Sequence, residues 1–224
     1  ISEAHDDALY LEAGWRYINE FPNYFYTQNA PLYPLFLALL TKVFGFNLIV
    51  FKLFSVLFNL LGFMLFYKAF EKKVPYIVFI PVAVFAAINH LIMYYASMTF
   101  TEAFYFFLQG LFFFYATKTI ETLAKDAPDL KSQWKSWLML GLSMFLMSTA
   151  KSGAIVVVPA MILYFFIEKN YKALAYSTGS YLIFKLSYEG LVRLIWGAQN
   201  QFKGQGRILM QKDPYDKSLG DEDF

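Results

Sequence analysis

The sequence predicts an all-α fold: a polytopic transmembrane helical bundle with an N-terminal extracytoplasmic loop bearing interfacial helices. Three observations predict it. Hydrophobic residues make up 58% of the 224-residue chain and charged residues only 16%, where a soluble domain carries about a quarter charged. The mean hydropathy is +0.42. Apolar stretches of near twenty residues recur along the chain, long enough to cross a hydrocarbon core of about 30 Å.

The totals also bound the function. A formal net charge of +2 neither favours nor excludes an acidic partner, and no stretch carries a nucleic-acid signature. With no cysteine, the chain has no disulfide and no thiolate metal site, which leaves its compartment open. Ile1 opens the chain without an initiator Met or a signal-peptide pattern. With its close on Asp221-Glu222-Asp223-Phe224, this leads us to expect a piece of a longer protein, with spans missing at one or both ends.

Residues 1–45 read as an extracytoplasmic loop. Leu9, Leu11, Trp15 and Ile18 stand among polar residues, the pattern of an amphipathic helix lying at the interface. Pro22 and the aromatics Tyr24 to Tyr26 would end it. Pro31 to Phe44 is apolar but short for a crossing, so an interfacial or re-entrant helix is predicted there, punctuated by Gly45. Residues 46–196 hold about six spans, placed near 46–67, 74–95, 97–116, 134–150, 153–167 and 173–196. The fifth is short and contains Pro159, so a kink or a partial crossing is expected. Residues 197–224 are polar and contain glycine, and read as a second extracytoplasmic loop.

Parity sets the orientation. If all six cross, the connections at 68–73, 117–133 and 168–172 share one side and hold Lys68, Lys72, Lys73, Lys118, Lys125, Lys131, Lys169 and Lys172. Among the short loops of the other side only Lys151 is basic. The positive-inside rule then puts residues 1–45 outside the cytoplasm, although Lys203, Arg207, Lys212 and Lys217 in the tail blur the bias.

Few residues could carry chemistry. Asp6 and Asp7 are adjacent carboxylates near a membrane surface, able to serve as a general base, a cation site or both. The competing reading is a helix N-cap before Ala8-Leu9-Tyr10. Glu102 heads a strongly apolar helix on the same side by parity, and an acid at the membrane boundary needs a partner or a wet cavity. Thr99 with Glu102 also fits a capping box. His90, near the outer end of a span, reads more readily as a packing residue than as a ligand. Lys151 lies between Thr149-Ala150 and Ser152-Gly153, in a turn too tight for an ordinary solvated loop. A cation among small residues beside a helix N-terminus suits an anionic phosphate oxygen, and the alternative is a lysine snorkelling from a span end. Lys185 and Glu189 are one turn apart and read as a neutralised pair. Arg193 and Arg207 are further phosphate candidates. Of the 26 Phe and 17 Tyr, most serve as lipid-facing bulk and belts; some of Tyr24, Tyr26, Tyr94 and Tyr95 could line a sugar site.

The order of these features resembles a known family. An acidic pair with a Tyr soon after is followed by Pro31-Leu32-Tyr33-Pro34-Leu35, a Gly and further spans. Thr101-Glu102 then heads an aromatic helix, and Lys151 lies between two later spans. This is similar to the GT-C superfamily of polyprenyl-phosphate-sugar-dependent glycosyltransferases, near the protein O-mannosyltransferases and lipid A aminoarabinose transferases. The resemblance runs from residue 5 to about 168. Members carry a span before the acidic pair and further spans after the point where this chain ends.

The resemblance implies roles by position. Asp6 would take the proton from the acceptor hydroxyl, and Asp7 would assist it, orient the acceptor or hold a cation. Glu102, with His90 nearby, would shape the outer cavity, and Lys151 with Arg207 would bind the lipid-linked phosphate. Some members employ a divalent metal and others none. With no His or Cys cluster, a metal here would be oxygen-bound, Mg or Mn, on Asp6 and Asp7. The implied partners are a polyprenyl-phosphate sugar donor, a glycan, lipid or protein acceptor, and membrane lipids. The implied setting is a bacterial or archaeal plasma membrane, or the endoplasmic reticulum. The reading is thus an inverting membrane glycosyltransferase acting on the extracytoplasmic face. The alternatives are a transporter or lipid-binding protein in which Asp6, Glu102 and Lys151 are pathway or structural charges, and an inactive interaction module. A transporter predicts polar residues at mid-membrane and an inverted repeat. Here the polar residues gather towards one face, which favours the enzyme.

Overall fold

The computed structural model describes residues 2–26, 31–99, 101–123 and 134–197, without the side chains of residues 2–7, 95 and 96. The described residues are helical and include no strand.

Helix α1, Ser2–Asn19, is the mixed polar and apolar segment. Near its end the Arg16 guanidinium donates to Glu20 at 2.9–3.0 Å and lies 4.1 Å over the Tyr24 ring. Helix α2, Leu32–Phe44, accepts Pro34 because the first helical turn has no carbonyl partner for that N–H. It stops at Gly45, whose φ of 72° is open to glycine and strained for other residues. Asn47 then starts α3, Leu48–Phe70, its Oδ1 accepting from the Ile49 and Val50 amides at 3.0 and 3.3 Å.

At 23 residues α3 is about 35 Å long. Among the described residues it is the helix long and apolar enough to cross a bilayer on both counts. The second expected span divides. Helix α4, Tyr76–Ala87, carries Pro81 and ends at Ile88. Asn89 then caps a new helix, α5, His90–Ala96, accepting from the Leu91 amide at 3.0 Å. A carboxamide able to satisfy backbone donors ends one helix and starts the next.

Helix α6, Thr101–Leu123, matches α3 in length, and α7 is Trp134–Ala150. The expected irregularity around Pro159 is a 3₁₀ turn, Ser152–Val156, running into α8, Val157–Ile167. Helix α9, Tyr171–Trp196, closes the described chain and ends at Gly197, again at positive φ.

Small residues set how closely the helices pack, as they do where lipid supplies no hydrophobic drive. A Cβ on Gly110 of α6 would lie 2.9 Å from the Gly62 carbonyl oxygen of α3. A Cβ on Gly141 of α7 would lie 2.4 Å from Ser180 Cβ of α9. Between these contacts Leu108, Leu140, Met144 and Phe165 are fully buried. A second, smaller cluster joins α1 to α2 around Ala13, Tyr17, Tyr26 and Ala38, and Trp196 closes on Tyr17, Phe21 and Phe25 with ring centroids 5.0–6.3 Å away. The outer surface is apolar. Helix α4 buries no residue and exposes Ile77, Val82 and Phe85, a contiguous apolar surface of the kind that meets lipid or protein.

Candidate active site

The chain turns at Lys151. Its amide still donates to the Met147 carbonyl at 3.0 Å, completing α7, while its own carbonyl accepts from Ala154 at 2.9 Å and begins the 3₁₀ turn. Its backbone is extended, φ −149° and ψ 121°, so the side chain leaves the helix axis. Nζ reaches Glu102 Oε1 at 3.2 Å and stands 5.6 Å from the Tyr105 ring centroid.

Glu102 lies in the first turn of α6, where unpaired backbone N–H groups favour a carboxylate. Its second oxygen, Oε2, accepts from Thr101 Oγ1 at 3.3 Å. The helix starts at Thr101, so the predicted Thr99–Glu102 capping box does not form. Thr99 Oγ1 is buried and finds no hydrogen-bond partner among the described residues. The side chains of Lys151 and Glu102 are 46% and 33% exposed, so the pair is wet and its partners can be exchanged. Thr149, expected beside the cation, turns its hydroxyl back to the Phe145 carbonyl at 2.8 Å.

The remaining predicted residues fall in different places. His90 is exposed at the start of α5, its ring 6.3 Å from that of Tyr94, with no hydrogen bond or ion pair to Glu102 or Lys151 among the described residues. Asp6 and Asp7 belong to α1, but their side chains lie outside the described residues, as does all of Arg207. One turn after Asp6, Tyr10 meets Tyr33 of α2 at 5.7 Å, and Tyr33 meets Phe104 at 5.8 Å. An aromatic chain therefore links α1 through α2 to the turn of α6 that carries Glu102. Lys185 and Glu189 pair at 3.2 Å within α9, as their spacing predicts.

Tyr24 and Tyr26 join the α1–α2 cluster. The Tyr17 hydroxyl accepts from the Tyr26 amide at 3.0 Å, and burial pushes the Tyr17 phenol well above its usual range. Burial also raises Tyr24, against the lowering effect of Arg16. Among the described residues no three His, Asp or Glu side chains gather where a metal could be held. The Tyr105 ring beneath Lys151 went unread in the sequence, although its i+3 spacing from Glu102 puts both on one helix face.

An all-α bundle that exposes many large apolar side chains, with one helix among the described residues long and apolar enough to cross a bilayer, has the architecture expected of a membrane protein. Residues 28–192, well over half of the chain, match the dolichyl-phosphate-mannose-protein mannosyltransferase family, and the chain belongs to that family. It is therefore a membrane glycosyltransferase of GT-C, mannosyltransferase-like type. The matched segment contains His90, Glu102 and Lys151 and leaves out Asp6, Asp7 and Arg207. No curated protein and no solved structure gives a match.

Proposed function

We propose that the protein moves a sugar from a polyprenyl phosphate to an acceptor hydroxyl at the extracytoplasmic face, with inversion. The observation that carries this reading is the Lys151–Glu102 pair at 3.2 Å, a cation kept at a helix end by a carboxylate it can leave. In the free enzyme Glu102 holds Lys151 in position. The donor phosphodiester, a single negative charge like the carboxylate, takes its place at Nζ, and the second charge that develops on the leaving phosphate as its bond to the sugar breaks is met by the same ammonium. The Tyr105 face stabilises the ammonium from the other side.

With the phosphate oxygens met by Lys151, and by Arg207 from the tail, the bond between the anomeric carbon and the phosphate oxygen breaks. Its electron pair leaves with polyprenyl phosphate. The acceptor oxygen bonds to the opposite face of the anomeric carbon and gives its proton to Asp6, while Asp7 orients the acceptor. Stabilising the charge that develops on the leaving group is the larger contribution, and proton removal adds to it. The family's description favours mannose as the sugar and a protein hydroxyl as the acceptor.

The basic residues support the choice of face. Lys73 Nζ is 3.1 Å from Glu121 Oε1, so Lys68, Lys72, Lys73 and Lys118 gather at the ends of α3 and α6 remote from Glu102, as a cytoplasmic end should. The test reconstitutes the full chain in liposomes with labelled polyprenyl-phosphate mannose and acceptor peptides. Transfer by wild type, lost in Asp6→Asn and weakened in Lys151→Ala with both variants folded, is expected. A wild-type chain that consumes no member of a panel of polyprenyl-phosphate sugars would sink the reading.

A further inference from the structure

Two hollows adjoin on the face shared by α3 and α6: a polar one at the end away from Glu102, and an apolar one that runs from it up to Phe106, one turn from Glu102. A groove of about 790 Å³ between α3, α4 and α6 is lined by Phe63, Phe66, Phe70, Phe79, Ala83 and Phe106 among others, all apolar. Next to it a polar hollow of about 320 Å³ is lined by Lys68, Glu71, Lys72, Thr117, Lys118 and Glu121. Tyr67 lines both, and its ring meets Phe79 of α4 at 5.6 Å. Glu121 is already occupied by Lys73, which leaves Lys68, Lys72 and Lys118 facing one further carboxylate, Glu71, which also meets the Tyr67 hydroxyl. The hollow therefore carries surplus positive charge.

From these juxtaposed hollows we infer a binding site for one anionic phospholipid. Its phosphate lies among Lys68, Lys72 and Lys118, and one acyl chain lies in the groove against α4. The groove face of α4 from Val78 to Ala87 runs about 14 Å, parallel to a chain descending from a headgroup at the α3 and α6 ends. Charge complementarity fixes the headgroup class, since basic clusters at span ends attract anionic lipid. A neutral lipid or a detergent would fill the groove and leave the lysines unmet. Lys118 and Glu102 are 16 positions apart on α6, about 24 Å along the axis. The lipid therefore sits in the leaflet opposite the candidate active site. The inference rests on reading α3 and α6 as bilayer-crossing and goes beyond the sugar-transfer reading.

The site also gives α4 a reason for its place. That helix fully buries none of its residues, and an acyl chain between it and α3 would hold it to the bundle.

Native mass spectrometry of the full chain, mixed with phosphatidylglycerol or phosphatidylcholine of the same chain length, tests the site without measuring sugar transfer. One phosphatidylglycerol should be retained in preference to phosphatidylcholine. The triple variant Lys68→Ala, Lys72→Ala, Lys118→Ala should lose that preference, with about a hundredfold weaker retention, while Lys135→Ala, outside the hollow, should keep it. Ala83→Phe, which fills the groove and spares the lysines, should weaken retention as well. Equal retention of the two lipids by wild type, or an unchanged preference in the triple variant, would overturn the inference. So would glycerol 3-phosphate competing as well as the intact lipid, because the groove would then contribute nothing.

Discussion

Lys151 Nζ lies 3.2 Å from Glu102 Oε1 across 49 positions of sequence, tying the turn after α7 to the first turn of α6. Both side chains are about a third to a half exposed, and an ion pair in such a setting contributes only about 0–1 kcal/mol to stability. Glu102→Gln and Lys151→Met should therefore each leave the thermal midpoint in detergent nearly unchanged, within about 1 kcal/mol. Sugar transfer by Lys151→Met should nevertheless fall by about 10²–10³, the usual cost of removing one group that stabilises developing charge. Transfer assays beside thermal unfolding of the same preparations separate the two effects.

Asp6 is assigned the acceptor proton. Asp6→Asn should lower kcat by about 10²–10⁴ with little change in the KM for donor, the range of a general base. The N-cap reading does not hold, because α1 already starts at Ser2 and Asp6 lies within it; transfer at the wild-type rate by a folded Asp6→Asn chain would therefore leave Asp6 a helix residue with no part in the reaction.

Gly141 sets the spacing of α7 and α9. A methyl group there would lie 2.4 Å from Ser180 Cβ and 2.6 Å from the Tyr181 amide nitrogen. The second of these is backbone and cannot rotate away. Gly141→Ala should destabilise the bundle by about 1–3 kcal/mol, the cost of overpacking, and Gly141→Leu should prevent accumulation of folded protein. Gly179, with open space around its Cβ position, should accept alanine without loss. Unfolding midpoints and yields check both.

Tyr17 reports on the docking of α1. Its pKa is raised from the usual 10.0 because burial disfavours the phenolate. The stability it lends is fully present below pH 10 and is lost as pH rises through the higher folded value. Alkaline titration of tyrosinate absorbance should show Tyr17 among the phenols that ionise late, its ionisation accompanied by loosening of α1 from α2. Tyr17→Phe should remove one phenol from that late phase and cost about 1–3 kcal/mol, because the buried Tyr26 amide loses its acceptor.

Much of this organisation was legible in the sequence. Asn47, Gly45, Pro31 and Gly197 punctuate the helices through local backbone chemistry, which neighbouring residues suffice to reveal. Lys151 stood out because it interrupts a run of small residues, and Glu102 because it heads an apolar helix. Their contact was not legible: helices apolar all round, such as α3 and α4, carry no stripe to show which face packs inwards. For the same reason the closure of Trp196 on α1 and the hollow beside Lys68, Lys72 and Lys118 emerged only from the packing. The break at Asn89 was readable in principle, since an Asx cap ends a helix wherever its carboxamide can reach the next amides.

The most direct measurement is the binding of polyprenyl phosphate, with unphosphorylated polyprenol as the control, to wild type, Lys151→Ala and Glu102→Gln. If Lys151 is the phosphate anchor and Glu102 its resident competitor, Lys151→Ala should bind about tenfold to a hundredfold more weakly, the worth of one hydrogen bond to a charged group. Glu102→Gln should bind more tightly than wild type, and neither variant should change the binding of polyprenol. Lys151→Ala binding polyprenyl phosphate as well as wild type would contradict the assignment and leave the pair a structural tie between α6 and α7.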